Sequence, residues 1–146
     1  MENVRVYELP KCKMVSSKCG MFGDTALDEF DNWLSSLPRT AFPQDYLWFD
    51  ESQGGFVWYY IYHDGLEVPD SFDIVDFSGG LYAVACGKDG ENNEHTIAAI
   101  MQFIEGNSHF SHDANRTQLG NVITPPTAQE ALGYSQMDYY VPIKVV

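Results

Sequence analysis

Trp58 and Tyr60 in one segment, and Asp138 and Tyr140 in another, put large aromatic rings and one carboxylate at alternate positions of strand-like stretches. Side chains two residues apart on a strand share a face. An acid set among ring faces suits an apolar cation, because the rings and a partly desolvated carboxylate both favour positive charge. Trp48 and Tyr82 are further aromatic candidates for such a surface. Asp45, Asp50 and Glu51 read instead as a solvated acidic rim.

Other reactive side chains carry less. His109-Phe110-Ser111-His112-Asp113 offers two imidazoles and an acid, but no paired cysteine or spaced third ligand accompanies them, so it reads as a solvated loop and no metal is expected. No G-x-S-x-G nucleophile elbow is present, and Gly87-Lys88-Asp89-Gly90 is too short for a phosphate-binding loop. Cys12, Cys19 and Cys86 form no C-x-x-C pair and are odd in number, which points to reduced, structural thiols. His63 and His95 have no spacing that marks either as a base for a cysteine nucleophile. No catalytic residue and no cofactor is assigned.

The elements that must position the aromatic residues come in the order β-α-β-β, twice. Val4 to Lys18 reads as a strand interrupted near Pro10. Thr25, with Asp28 three residues on, offers a cap for a helix whose apolar face is Leu27, Phe30, Leu34 and Leu37, ended by Pro38. Tyr46 to Phe49 and Phe56 to Tyr62 follow as a hairpin around Gly54-Gly55. In the second half, Phe72 to Cys86 is a strand broken at Gly79-Gly80, and a helix over residues 93–105 carries Ile97, Ile100, Met101 and Ile104 on one face. Leu119 to Thr124 and Met137 to Val145 close the chain as strands, with a helical patch at Ala128 to Leu132 between them. Laying Trp58-Tyr59-Tyr60-Ile61 over Asp138-Tyr139-Tyr140-Val141 (138 − 58 = 80) suggests a duplication, with repeats of about 1–64 and 65–146 in a single domain spanning 1–146. In that alignment the aliphatic set of each last strand packs under its helix. Trp58, Tyr60, Asp138 and Tyr140 then face away, and two such faces meeting across a pseudo-two-fold would make a cleft. The expected fold class is α+β, a tandem βαββ duplication with antiparallel sheets and a ligand cleft between the halves.

Composition narrows the partners. The 146 residues are 45% hydrophobic and 20% charged, which fits one compact folded domain. Eight Lys and Arg against 21 Asp and Glu give a net charge of −13. Phosphate backbones and acidic membrane surfaces would be repelled, and cationic ligands drawn in. No apolar run reaches the roughly 18 to 20 residues that span a bilayer. The opening Met1-Glu2-Asn3-Val4-Arg5 lacks a signal-peptide layout, so the cytoplasm is the expected location.

The sequence resembles the GyrI-like small-molecule-binding domain, the effector-binding module of AraC-type and MerR-type transcription regulators that also occurs free-standing. The residues carrying the resemblance are Val6-Tyr7-Glu8-Leu9-Pro10, the helix with Phe30 and Trp33, Val68-Pro69, Gly80-Leu81-Tyr82-Ala83-Val84, and the closing Asp138-Tyr139-Tyr140-Val141-Pro142-Ile143-Lys144. The family usually has Glu where this chain has Asp138, and often a tryptophan where it has Phe103. The resemblance implies binding of a lipophilic, cationic, drug-like molecule through aromatic side chains and a buried acid, in a sensor domain that makes no nucleic-acid or membrane contact itself. A DNA-binding domain elsewhere in the full-length protein would fit that role. The alternative it implies is a hydrolase that detoxifies electrophilic xenobiotics in an aromatic cage; in that reading Asp138 would orient water or stabilise a developing cation, and Tyr60 or Tyr140 would donate a proton.

Overall fold

A computed structural model describes residues 3–146. Met1 and Glu2, the start of the first repeat and of the leader reading, lie outside the described residues. The elements in chain order are β1 (Arg5–Leu9), β2 (Cys12–Ser16), α1 (Thr25–Ser36), β3 (Asp45–Asp50), β4 (Gly55–Ile61), β5 (Asp73–Phe77) and β6 (Gly80–Lys88). They continue with α2 (Glu94–Glu105), β7 (Phe110–His112), β8 (Leu119–Val122), α3 (Pro126–Leu132) and β9 (Gln136–Val145). The chain is α+β, and the strand pairings within each of its two units are antiparallel, as expected.

The chain divides into two compact units, Lys11–Ser78 and, for the other, the residues through Pro10 together with Gly79–Val146. The crossing points fall at the breaks read from the sequence, Pro10 and Gly79-Gly80. The first strand of each repeat is therefore split: β1 joins the C-terminal unit beside β6, while β5 joins the N-terminal unit beside β2. The two pairings match in register. Arg5 lies opposite Val84, and Asp73 opposite Ser16; both Arg5 to Asp73 (73 − 5) and Ser16 to Val84 (84 − 16) span 68 residues. The compact units are thus not the two repeats taken whole.

In the N-terminal unit the strand order is β3-β4-β2-β5. The β3–β4 hairpin closes through residues 51–54, where Gly54 takes φ 72° and its N–H reaches the Asp50 carbonyl at 2.8 Å. Leu27 and Phe30 of α1 are buried, and Phe30, Tyr60, Phe72 and Val15 form the core with Trp33, Leu34, Leu37 and Trp58 packed against them. The N-cap of α1 is Asp24 rather than Thr25, and its carboxylate takes the Met21 N–H at 2.8 Å, closing the preceding turn instead of bonding the helix.

In the C-terminal unit the order is β1-β6-β9-β8, with β7 also on β9. Ile100 and Ile104 of α2 pack on Ala83, Ala85, Val141 and Ile143. The central strand β9 carries Pro142, which has no N–H to give a ladder. It sits where the neighbour of β9 changes, between the Leu119–Tyr140 pair of β8 and the His112–Ile143 pair of β7, and its carbonyl accepts the Asp113 N–H at 2.9 Å. The missing donor therefore falls at a gap in the ladder.

Candidate functional site

Because Ala83, Ala85, Val141 and Ile143 meet α2, alternation sends their neighbours to the opposite face of the sheet. The strand register then lines up Arg5 and Tyr7 of β1, Tyr82, Val84 and Cys86 of β6, Asp138 and Tyr140 of β9, and Leu119 and Asn121 of β8. Three of the predicted site residues, Tyr82, Asp138 and Tyr140, come together here. The Tyr82 and Tyr140 rings meet edge to face at 5.8 Å, and Tyr7 adds a third ring 6.2 Å from Tyr140. The Asp138 side chain is only 6% exposed, and its Oδ1 accepts a hydrogen bond from Arg5 Nη2 at 2.9 Å. The same guanidinium lies over the Tyr7 ring at 5.0 Å and donates through Nη1 to the Tyr7 hydroxyl. Burial pushes the Cys86 thiol above its ordinary pKa, and the Asp138 charge pushes it further.

Arg116 fixes the floor beneath Tyr82. Its Nε binds Asp113 Oδ2 at 2.9 Å, Nη1 donates to the Gly79 carbonyl at 3.1 Å, and Nη2 to the carbonyls of Leu81 at 2.8 Å and Ile143 at 2.6 Å. Its guanidinium carbon stands 4.8 Å from the centre of the Tyr82 ring. Gly80 is obligatory at this point: its φ is +124°, and a Cβ there would lie 2.6 Å from Arg116 Nη1. The hydrogen bond from Arg116 holds the Asp113 carboxylate below its usual pKa. Residues 109–113, read from sequence as a loop, contribute β7 and this ion pair. A three-residue strand is too short to show alternation, and its partner β9 is some thirty residues away in sequence, which is why the pattern hid it.

The N-terminal unit corrects the face assigned to Trp58 and Tyr60. Both point toward α1, not away from it: Trp58 packs at 5.6 Å on Phe30, and Tyr60 meets Trp33 at 5.7 Å. The cause is register. Tyr60 and its β2 partner Val15 correspond to Val141 and its β6 partner Ala83, so the last strands align at 81 (141 − 60), one residue from the sequence alignment, and a one-residue slip exchanges the faces. Trp48 lies on the face away from α1, opposite Val57 and in line with Tyr46 and Tyr59. Asp45 is no rim residue either. It lies opposite Tyr60, on the helix side, and accepts the Trp58 indole N–H at 3.0 Å. Burial raises its pKa, with the indole hydrogen bond pulling the other way. Asp50 is half-buried at the hairpin, where its carboxylate accepts from Ser52 and Gln53 to close the turn. Arg5 is no site candidate in the sequence, and Tyr7 enters only within Val6-Tyr7-Glu8-Leu9-Pro10. Their signal was only the alternation of Arg5, Tyr7 and Leu9 in the first strand.

No protein-family model and no curated protein matches this sequence. Solved structures do match its fold. The C-terminal domain of EcmrR superposes with a TM-score of 0.67 at 12% identity, covering 100% of this chain and 99% of that domain. The chain has the GyrI-like fold. EcmrR in its complex with DNA gives a TM-score of 0.70 at 11% identity, and this chain spans 58% of it. A hydrolase from Listeria innocua gives 0.69 at 11% identity over 97% of this chain and 91% of that one. SAV2435 bound to tetraphenylphosphonium gives 0.56 at 11% identity over 97% and 94%. No helix among the described residues is long and apolar enough to cross a membrane.

Proposed function

We propose that this chain is a small-molecule-binding domain whose ligand is a lipophilic cation, seated on the face that carries Tyr7, Tyr82, Asp138 and Tyr140. The observation that carries the reading is a carboxylate, 6% exposed, on the sheet face that also carries Tyr7, Tyr82 and Tyr140, and paired with a positive group. Such a site offers both charge and ring attraction to an organic cation. The net charge of −13 would concentrate cations around it. That SAV2435 holds tetraphenylphosphonium on the same fold supports this class of ligand. The match to EcmrR supports an effector-binding role in a transcription regulator, without favouring the AraC type. The acidic surface argues that DNA contact would be made elsewhere than by this chain.

Turnover is the rival reading, since a hydrolase shares the fold. Two of its expected groups are otherwise engaged: Asp138 is held by Arg5, and Tyr60 packs beneath α1. The test is calorimetric titration at low salt with tetraphenylphosphonium and with neutral triphenylphosphine oxide. The cation should bind at least about tenfold more tightly, a difference of roughly 1.4 kcal/mol. Equal affinities would contradict a charged seat, and steady consumption of an aromatic epoxide would favour the hydrolase.

A further inference from the structure

Arg5 makes the contacts that an organic cation would make at this site. Its guanidinium pairs with the buried Asp138 carboxylate at 2.9 Å and covers the Tyr7 ring at 5.0 Å. The two partners differ in exposure: the Arg5 side chain is 42% exposed and that of Asp138 is 6%. Arg5 sits on β1, an outer strand of the C-terminal unit's sheet, paired among the described residues with β6 alone. An arginine there can turn its head into water at little cost, whereas Asp138 cannot leave the sheet interior. An unpaired buried carboxylate is costly, so whatever removes Arg5 must supply positive charge in its place.

We propose that Arg5 is a tethered occupant of the cation seat, and that a ligand binds by displacing it from Asp138 and Tyr7. The inference rests on the cation-binding reading above and adds to it a selectivity device. A neutral molecule that pushed Arg5 aside would leave Asp138 without a counter-charge, so only cations pass. The strongest competitors are delocalised, weakly hydrated cations, which surrender little hydration on entering. Apparent affinity is lowered by the fraction of time Arg5 holds the seat.

The experiment titrates tetraphenylphosphonium into the parent, Arg5→Gln, Arg5→Lys, Asp138→Asn and the Arg5→Gln/Asp138→Asn pair, with thermal unfolding of each alongside. Arg5→Gln should bind on the order of tenfold more tightly than the parent and be stabilised more by the ligand, because the seat is vacated. Arg5→Lys, which keeps the charge but not the planar group over Tyr7, should gain less, and serves if the Gln variant folds poorly. In the double variant the gain should vanish. If Arg5→Gln binds no more tightly while Asp138→Asn binds weakly, displacement is wrong and the cation seat stands. A gain that persists in the double variant also overturns displacement, since it does not act through Asp138. If no variant and not the parent binds, the cation seat itself is wrong, and displacement with it.

Discussion

Asp138 meets a guanidinium at 2.9 Å, and Asp45 meets an indole N–H at 3.0 Å. Both acids stand among aromatic rings, one in each unit, and they differ in what answers their charge. Arg5 is a separate, partly exposed cation, which on the proposed reading another cation replaces. The Trp58 indole is a neutral donor on a ring wedged against Phe30 beneath α1, and replacing it means unpacking the unit. Burial accordingly raises the pKa of Asp45. Aromatic rings around a carboxylate therefore do not by themselves make a ligand seat. The two acids differ in the partner's exposure and in the side of the sheet, and on both counts the proposed seat falls in the C-terminal unit.

The largest expected effect lies on the packing side of this contrast. Phe30 is fully buried and touches the rings of Trp33, Trp58 and Phe72, so Phe30→Ala should cost about 3–5 kcal/mol in denaturant unfolding. Cation affinity measured well below the lowered unfolding midpoint should stay at the parent value. A selective loss of affinity there would place the seat under α1. Trp58→Phe keeps a ring but withdraws the donor from Asp45, and should destabilise by roughly 1–3 kcal/mol, again without touching affinity. Tyr140→Leu removes a ring from the other face and should weaken tetraphenylphosphonium by about 0.5–2 kcal/mol. Tyr140→Phe should retain most of the binding, since the ring face is what the cation meets. The smallest effect is on pH. Because the folded pKa of Asp45 is raised above its unfolded value of about 3.9, the folded state holds this proton longer than the unfolded state. Stability from this group is present in acid and lost as pH rises through the interval between the two values. Urea unfolding across that interval should show a flatter profile for Asp45→Asn, with a small gain in stability at neutral pH.

The element order, β7 apart, was legible because α1 and α2 each show one apolar stripe and the strand breaks carry Pro10 and Gly79-Gly80. The side of the sheet was legible only in β9, where Tyr139, Val141 and Ile143 meet α2 and Asp138 and Tyr140 do not. In β4 it was not. Val57 is buried on one side and Tyr60 on the other, so both sets are apolar and alternation carries no direction. One residue of misalignment then exchanged Trp58 for its neighbours. Arg5 was invisible for a different reason: it reaches Asp138, 133 residues away, only because β1 leaves its own repeat to pair with β6. Asp45 looked like a surface acid because composition cannot tell which of several carboxylates an indole will hold.

Asp138 and Asp45 are the two acids that could answer the ligand, and one pair of calorimetric titrations separates them. Tetraphenylphosphonium is titrated into Asp138→Asn and into Asp45→Asn under identical low-salt conditions. Asparagine keeps nearly the shape of aspartate and removes only the charge, so the comparison reads electrostatics rather than packing. Asp138→Asn should lose on the order of 1–3 kcal/mol of binding, about five- to 150-fold, while Asp45→Asn binds as the parent does. Parent-like affinity in Asp138→Asn together with a loss in Asp45→Asn would contradict the proposed reading and move the seat to the N-terminal unit.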